Sequence, residues 1–411
     1  MSTCDPTDLM SWQTAKNQML TQADTPSKHE QIPLSQAEGR VLAHEITSTI
    51  DIPPFDTSAM DGYAVNTDDL SQAGCQLPLS QTIYAGNAPQ ALTSNTTARI
   101  LTGAPLPRGA NSVIIQEACT IQSSSIQFNT LNEPGSNIRR QGCHVQKGQK
   151  VLTKGSRLTP AELGLLASLG LSSIQVYRPL RIGILSTGDE LVSPGQPLQA
   201  GQIYNSNHIM LSQLATTMHT EVVDLGCLKD EPTLMRSALE DAHTQCDIII
   251  SSGSASVGDK DYINSLLAEL GEVAFWKIKI KPGKPFTFGK IGCCDFIGLP
   301  GNPVSCFVTF HLLVRPFILK RQGIKHFDLN PVQAIADFSR RKTHKRTEFI
   351  RVSVTRNSHG QYVATPFPNQ DSATLLSITQ SDGLLEIPAG SQVNQGAPLP
   401  FYALRNIDSC L

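Results

Sequence analysis

The sequence lacks the features that mark several large classes of protein. Its formal charge is −2 over 411 residues and no strongly basic domain is present, so nucleic acid is not an expected partner. The first ten residues contain no apolar signal region, and no apolar run approaches the length of a membrane span. We therefore expect a soluble, cytoplasmic protein that contacts no membrane.

Cys-x-x-Cys motifs and common nucleotide-binding loops are also missing. The ten cysteines are scattered, without a Cys-x-x-Cys pair, and the one adjacent pair, Cys293 and Cys294, lies in an apparent strand. Reduced thiols are expected rather than a disulfide framework or a zinc site. The chain has neither a phosphate-loop lysine motif nor a Gly-x-Gly-x-x-Gly fingerprint, so the common nucleotide folds have no support.

Apolar strands alternate with helices between residue 180 and about residue 322. The predicted strands cover residues 181–185, 220–225, 246–250 and 295–299, and the predicted helices cover residues 207–217, 231–242, 259–270 and 303–319. This alternation is typical of a mostly parallel sheet with helices on both faces, which is a three-layer αβα domain.

Different patterns of predicted secondary structure flank this region. Residues 9–20 show helical apolar spacing, residues 35–45 predict a second helix with a capping box, and Thr159 to Glu162 predict a third. Between the second and third helices, residues 56–143 predict a small β-module with polar turns at residues 56–63 and 102–107. This module is an insertion into a discontinuous domain, and short strands beyond Asp328 predict a further β-domain.

Three consecutive loops of the αβα region carry an unusual chemistry. Residues 251–258 offer backbone N–H groups and hydroxyls with little bulk, Lys281 and Lys284 supply two ammonium groups, and a glycine-proline turn follows. Because the carboxyl ends of parallel strands lie at one edge of a sheet, these loops should meet in one crevice. We predict an oxyanion site there.

Carboxylates accompany the lysines at the same predicted edge. They are Asp189, Glu190, Asp230, Glu231, Asp259 and Asp261. Each could simply cap a helix, but hard carboxylate oxygens also suit Mg²⁺ beside substrate phosphates. The combination predicts a tetrahedral oxyanion bound next to a metal-associated phosphate.

Several motifs resemble those of the molybdopterin molybdenumtransferases, the MoeA family that includes the E domains of the plant and animal molybdenum-insertion proteins. The resemblance covers about residues 8–400. The motifs that carry it are Ser58-Ala59-Met60-Asp61-Gly62-Tyr63-Ala64, Thr102-Gly103-Ala104-Pro105, Ser186-Thr187-Gly188-Asp189-Glu190-Leu191, Lys281-Pro282-Gly283-Lys284-Pro285 and Leu299-Pro300-Gly301-Asn302-Pro303-Val304-Ser305.

The resemblance implies four domains and a homodimer. The expected domains are a linker domain (27–52 and 144–178), an inserted β-module (53–143), a molybdopterin-binding α/β domain (8–26 and 179–327) and a C-terminal, barrel-like β-domain (328–411). The family inserts molybdate into adenylylated molybdopterin with release of AMP, with Mg²⁺ involved. Contacts with the molybdopterin adenylyltransferase and with molybdoenzyme maturation proteins are expected partner interactions.

The resemblance also implies roles for individual residues. Those expected around molybdate are Ser256, Lys281, Lys284, Pro285, Arg351 and Ser372. Those expected to position Mg²⁺ and the cleavable anhydride are Asp189, Glu190, Asp230 and Asp261. Asp61, with a catalytic role, and Thr102, in substrate binding, would reach this site from the partner subunit.

The chain departs from the family pattern at six positions. Cys143 and His144 replace a Glu-Asp pair, Asn205 replaces Asp, Ser254 replaces Gly, and Asp371 and Ala373 replace the Gly and His of a Gly-Ser-His motif. Cys143 and His144 lie either at the edge of the shared site or on a solvated turn. Three alternatives to full activity stay open: tungstate insertion, a pterin-binding scaffold without turnover, and adenylylation of molybdopterin, against which the length of the chain argues.

Overall fold

A six-stranded central sheet forms the middle of the computed structural model, which describes residues 9–253 and 262–404. The strands in spatial order are Glu221–Leu228, Arg181–Thr187, Ile248–Ser252, Cys294–Leu299, Thr287–Ile291 and Glu272–Trp276. The first four are parallel, and the fifth is antiparallel to both its neighbours, so the sixth again runs with the first four. The predicted mostly parallel sheet is confirmed.

Helices cover both faces of the central sheet. They are Trp12–Gln22, Ser206–Thr216, Pro232–Gln245, Tyr262–Leu270, Pro303–Thr309 and Arg315–Arg321, the last two joined by a π-helical segment, Phe310–Val314. Ile248 and Ile250 pack in the core on one face, whereas Ile249 packs in the core on the other. Because successive strand residues point to opposite faces, a strand covered on both sides must be apolar throughout.

The continuous helix Pro303–Arg321 corrects one expectation. Its 19 residues are long and apolar enough to cross a membrane, although the sequence was expected to hold no run approaching that length. About 72% of its apolar window is buried inside the protein, and Phe310, Leu313 and Phe317 belong to the main core. In the described part of the chain it is a core helix.

The linker region consists of small paired strands around its own apolar core. Strands His29–Pro33 and Ser173–Tyr177 pair, as do Ile46–Thr47 and Lys150–Leu152, beside helix Pro160–Ser168. The predicted capping box at this helix is confirmed, since the side chains and backbones of Thr159 and Glu162 bond reciprocally.

The predicted helix at residues 35–45 is wrong. Only a short 3₁₀ turn, Leu34–Gln36, forms there. Gly39 then adopts φ +73°, and its backbone lies so close to the ring of His219 that a Cβ would be 2.1 Å from it. Tertiary packing thus overrides the local helix signal.

The inserted region is mainly a β-module, as the sequence predicts, but it also contains one short helix that the sequence analysis did not predict. Its six-stranded sheet contains, in spatial order, Ser112–Ile115, Gly62–Val65, Thr97–Ile100, Gln76–Ile83, Ser125–Phe128 and Cys119–Ile121. Helix Thr67–Gln72 and the 3₁₀ turn Gln116–Ala118 complete it, and strands Thr57–Ser58 and Ile138–Arg139 pair at its base.

The C-terminal strands close into a five-stranded barrel. Around it the order is Thr347–Arg356, Tyr362–Pro366, Val332–Ala336, Pro398–Ala403 and Gly383–Ile387, which pairs again with the first strand. A short helix, Leu376–Thr379, lies between two of them. Strand Ile280–Lys281, from the loop that enters the central sheet, adds to the barrel by pairing with Thr347 and Glu348.

A buried carboxylate also joins the barrel to the N-terminal helix. Glu386 Oε1 accepts hydrogen bonds from Trp12 Nε1 and Gln13 Nε2, each at 3.3 Å, while Glu386 Oε2 accepts from the Tyr402 hydroxyl at 2.9 Å. Glu386 and Trp12 are 8% and 4% exposed. These bonds hold the barrel against the N-terminal helix close to strand Ile280–Lys281, since Glu386 pairs with Phe349, next to Glu348.

Candidate active site

Two adjoining cavities lie at the carboxyl edge of the central sheet. One has a volume of about 640 Å³ and the other, facing the barrel, about 880 Å³. Pro285, Asn302 and Ser305 line both. This is the crevice that the three strand-end loops predict.

The first cavity, which we name the acidic cavity, is lined by carboxylates but by no cationic side chain in the described part of the chain. Glu190 and Asp230 both line it, after strands Arg181–Thr187 and Glu221–Leu228. Asp189 holds the second loop in place, because its Oδ1 accepts the backbone N–H of Asp230 at 3.2 Å.

A close backbone approach forms part of the floor of the acidic cavity. Gly253 has φ +93°, and a Cβ on it would lie 2.3 Å from the carbonyl oxygen of Thr187. Only glycine fits both this conformation and this space. The approach keeps two neighbouring strand ends together where Ser252 and Gly253 line the cavity.

Amides on helix Ser206–Thr216 shape the opposite wall. Asn205 caps this helix by accepting the N–H of His208 at 3.1 Å, and Asn207 Nδ2 donates to the carbonyl of Gly301 at 2.7 Å. Asparagine caps helices as well as aspartate does. The departure at Asn205 therefore keeps the local fold and removes only a negative charge.

The second cavity, which we name the cationic cavity, has the opposite electrostatic character. Five cationic side chains and two carboxylates line it: Lys281, Lys284, Arg340, Arg346, Arg351, Glu348 and Asp371. Pro285 and Ser372, also expected at the oxyanion, line it too. The structure therefore brings together every described residue that the resemblance places around molybdate.

Lys281 and Glu348 form an ion pair inside the cationic cavity. Lys281 Nζ lies 2.9 Å from Glu348 Oε1, and Arg340 bonds to Glu348 Oε2. Burial raises the pKa of Glu348, but hydrogen bonds from Lys281 and Arg340 outweigh it and hold that pKa below its usual value. Glu348 is therefore ionised at neutral pH.

Arg351 is 1% exposed and is largely occupied by protein acceptors. Its Nε donates to the Ser377 hydroxyl at 3.0 Å, and its Nη2 donates to the carbonyls of Asp371 at 3.0 Å and Asn369 at 3.5 Å. Burial lowers the pKa of the guanidinium to about 10, so it stays charged at neutral pH. In the structure, Arg351 organises the loop that carries Ser372.

Ser372 links that barrel loop to the central sheet domain. Its carbonyl accepts the N–H of Val304 at 3.0 Å, and its hydroxyl accepts from Asn302 Nδ2 at 3.1 Å. The start of helix Pro303–Thr309 thus holds Ser372 where the two cavities meet, and Ala373, next in the chain, lines the acidic cavity.

Asp61 and Thr102 contact each other in the inserted module. In the part of the chain that the structure describes, neither residue lines either of the two cavities. Asp61 Oδ1 accepts the N–H and the hydroxyl of Thr102, both at 2.7 Å, and these bonds hold the pKa of Asp61 below its usual value. The N–H of Gly103 donates to the carbonyl of Ser58 at 2.9 Å. The two polar turns therefore form one exposed unit.

Some predicted positions lie outside the described residues, namely Ser256, Asp259, Asp261 and the departure at Ser254. Cys143 and His144 are exposed on the turn that follows Arg140, and neither lines the two cavities. The cysteines of the described part are free thiols, as expected.

A preformed metal centre is not found in the part of the chain that the structure describes, where no three His, Cys, Asp or Glu side chains group as ligands. Glu190 and Asp230 still suit Mg²⁺, which proteins often hold by one or two carboxylates together with substrate phosphates and water. The donor set thus fits a metal that arrives with a phosphorylated substrate.

Sequence reasoning missed four residues of the crevice. Ser305 belongs to the motif Leu299 to Ser305 and lines the crevice. Its position near the start of a predicted helix at the sheet edge could have identified it from the sequence. Arg340 and Arg346 precede the barrel strand Thr347–Arg356, and Glu348 lies at its start. They line the cavity where the barrel pairs with strand Ile280–Lys281.

The chain is similar to known proteins along most of its length. Residues 10–170 match the MoeA N-terminal region (domain I and II), residues 183–320 a probable molybdopterin binding domain, and residues 333–404 the MoeA C-terminal region (domain IV). A molybdopterin molybdenumtransferase of Haemophilus influenzae is 45% identical over 371 residues, covering 90% of this chain and 92% of the relative. One from a Nostoc species is 34% identical, covering 90% and 88%.

A solved structure shows the same architecture. The molybdopterin biosynthesis moeA protein of Pyrococcus horikoshii OT3 matches with a TM-score of 0.83 and 31% identity, covering 96% of this chain and all of that one. Sequence, domain order and fold agree, and the chain therefore belongs to the MoeA family.

Proposed function

We propose that this chain is a molybdopterin molybdenumtransferase of molybdenum cofactor biosynthesis, which inserts molybdate into adenylylated molybdopterin and releases AMP. The observation that carries the proposal is the pair of adjoining cavities with opposite charge. A dianion needs cationic surroundings, whereas a metal ion associated with a phosphoanhydride needs anionic ligands. The two adjoining cavities, which share the residues Pro285, Asn302 and Ser305, would provide one environment each.

The cationic cavity suits molybdate. Ammonium and guanidinium groups offset a dianion, and the Ser372 hydroxyl can donate to an oxyanion oxygen. Lys281 and Lys284 lie on the loop entering the central sheet, whereas Arg351 holds the barrel loop of Ser372. Molybdate would therefore lie between the two domains and beside Pro285.

The acidic cavity suits the adenylylated pterin phosphate with Mg²⁺. Glu190, Asp230 and, in this proposal, Asp189 and Asp261 would hold the metal, which when bound would offset charge developing on the phosphoanhydride. Asp189 keeps the Asp230 loop in position through its bond to the backbone N–H. The Gly253 backbone and the Asn207–Gly301 contact shape the walls that orient the substrate.

The direct test is a single-turnover assay of the purified protein with adenylylated molybdopterin, molybdate and Mg²⁺. We expect AMP release and molybdenum-bearing pterin in equal amounts. A pterin-binding scaffold would bind the substrate without releasing AMP, and a tungstate enzyme would turn over faster with tungstate than with molybdate. Either result would replace the proposal.

Lys284→Ala should weaken molybdate binding more than binding of the adenylylated pterin. Lys284 lines only the cationic cavity, and losing a charged hydrogen bond there costs about 1.5–3 kcal/mol. Titration calorimetry with each ligand measures both affinities. Lys279→Ala is the control that should change neither, because Lys279 is a half-buried lysine that lines neither cavity. Equal losses for both ligands in Lys284→Ala would refute the separation of the two cavities.

We also propose a homodimer with shared sites. Asp61 and Thr102 form an exposed polar unit away from the cavities of their own chain, and Phe55 and Met60 beside them are 47% and 45% exposed. Exposed apolar side chains next to a polar cluster are typical of an interface. Asp61 and Thr102 would then complete the partner's acidic cavity.

Mixed dimers test the shared site. When Asp61→Ala and Lys284→Ala subunits exchange freely, half of the dimers are hybrids with one intact site each, so about a quarter of the activity should return. Native mass spectrometry confirms that hybrids form. Activity that stays at the level of the separate variants in verified hybrids would contradict the arrangement.

The wider setting follows from the reaction. A pathway step between adenylylation of the pterin and delivery of the finished cofactor would operate in the cytoplasm. It would contact the adenylyltransferase that supplies the substrate and the proteins that mature molybdoenzymes.

A further inference from the structure

A buried carboxylate stands inside the cavity that the proposed function assigns to a dianion. Glu348 is 4% exposed and lines the cationic cavity. One of its oxygens lies 2.9 Å from Lys281 Nζ, and the other bonds to Arg340. A group that repels the expected ligand is thus built into its binding site.

The backbone holds this carboxylate in a defined position. Lys281 and Glu348 are register partners where strand Ile280–Lys281 pairs with the barrel. Arg346 also links the barrel to strand Ile280–Lys281, because its Nη1 donates to the carbonyl of Ile280 at 3.0 Å. The ion pair therefore lies where the barrel and strand Ile280–Lys281 meet, with its carboxylate buried and its lysine partly exposed.

We propose that Glu348 is a specificity-determining counterion of the cationic cavity, which occupies Lys281 and Arg340 when no anion is bound and moderates the affinity for dianions. The inference deepens the proposed function and rests on it. An incoming oxyanion competes with Glu348 for Lys281 and also meets the repulsion of one fixed negative charge.

The size of this repulsion depends on the charge of the ligand. Coulomb energy is proportional to the product of the charges, so Glu348 opposes a dianion twice as strongly as a monoanion in the same position. A dianion held only by cations would be slow to leave. With Glu348 present, a bound dianion is held less tightly and leaves faster.

Two tetrahedral oxyanions that differ in charge separate this role from a structural one. Molybdate is a dianion and perrhenate a monoanion of similar shape, and both affinities can be measured by calorimetry on the full chain at low ionic strength. Glu348→Gln keeps the side-chain shape and removes the charge. We expect perrhenate affinity to rise about threefold and molybdate affinity about tenfold, because the free-energy change doubles with ligand charge.

Arg340→Gln is the reciprocal variant, and it decides the question if Glu348→Gln does not fold. Removing this cation should lower both affinities, again with the larger change for molybdate. Glu386→Gln is the matched control, since Glu386 is also a buried carboxylate of the barrel but lines neither cavity; it should leave both affinities unchanged.

The outcomes separate the two proposals. Unequal changes in the expected directions support the role of Glu348. Equal changes for the two anions, or none, in variants that melt like the wild type would overturn it while leaving the proposed function standing. A wild-type protein that binds neither anion would remove the oxyanion site itself.

Discussion

Arg351→Met is expected to abolish molybdenum insertion and to lower the free energy of unfolding by about 3–4 kcal/mol. The substitution keeps much of the apolar stem but leaves the Ser377 hydroxyl and the carbonyls of Asn369 and Asp371 without their buried donor. The loop carrying Ser372 should then lose its hydrogen bonds to Asn302 and Val304 at the start of helix Pro303–Thr309. Denaturant unfolding and the single-turnover assay measure the two effects.

Arg356→Met provides the matched control for this prediction. Arg356 lies on the same barrel strand but is exposed, so its loss should cost below about 1 kcal/mol and spare activity. Arg351→Lys should fail nearly as badly as Arg351→Met, because an ammonium cannot reproduce the guanidinium's planar set of donors. If Arg351→Lys restored both stability and insertion, the geometric argument would be wrong and charge alone would suffice.

The double variant Glu190→Gln, Asp230→Asn should slow AMP release by at least about 1,000-fold. Both carboxylates line the acidic cavity, and their amides cannot provide the anionic oxygens that Mg²⁺ prefers. Molybdate affinity should be preserved, because neither residue lines the cationic cavity. Chromatographic quantification of AMP across a Mg²⁺ titration measures the first effect and calorimetry the second.

Glu231→Gln controls for a general loss of negative charge. Glu231 follows Asp230, is exposed and makes no side-chain capping bond to its helix, so its loss should leave AMP release unchanged. A double variant that released AMP at the wild-type rate with ordinary Mg²⁺ would show that the acids shape the fold and do not serve the chemistry.

The architecture of the α/β domain was largely predictable because burial on both faces imposes a local pattern. Strand Ile248–Ser252 needs apolar side chains toward two cores, and such runs alternating with helices have few interpretations. The capping box at Thr159 was equally local, since all its partners lie within four residues. These signals depend little on the rest of the chain.

The sequence-based predictions failed where contacts with distant segments of the chain determine the structure. Residues 35–45 hold a capping pattern, yet Gly39 packs on His219, which is 180 positions away in the sequence, and no helix forms. Likewise, the lysine loop and the acids were recognised as strand-end features, whereas the Glu348–Lys281 pair exists only because the barrel adds a strand from another domain. A charge pair across a domain joint has no local sequence signal.

The joint between Trp12 and Glu386 gives the protein a natural optical reporter. The chain has two tryptophans, Trp12 and Trp276, of which the second is 42% exposed. Trp276→Phe would leave a single indole, buried and hydrogen-bonded at the seam between the barrel and the N-terminal helix. Its emission would shift to longer wavelength whenever water entered that seam. Separation of the barrel during turnover could then be followed in real time on unlabelled protein.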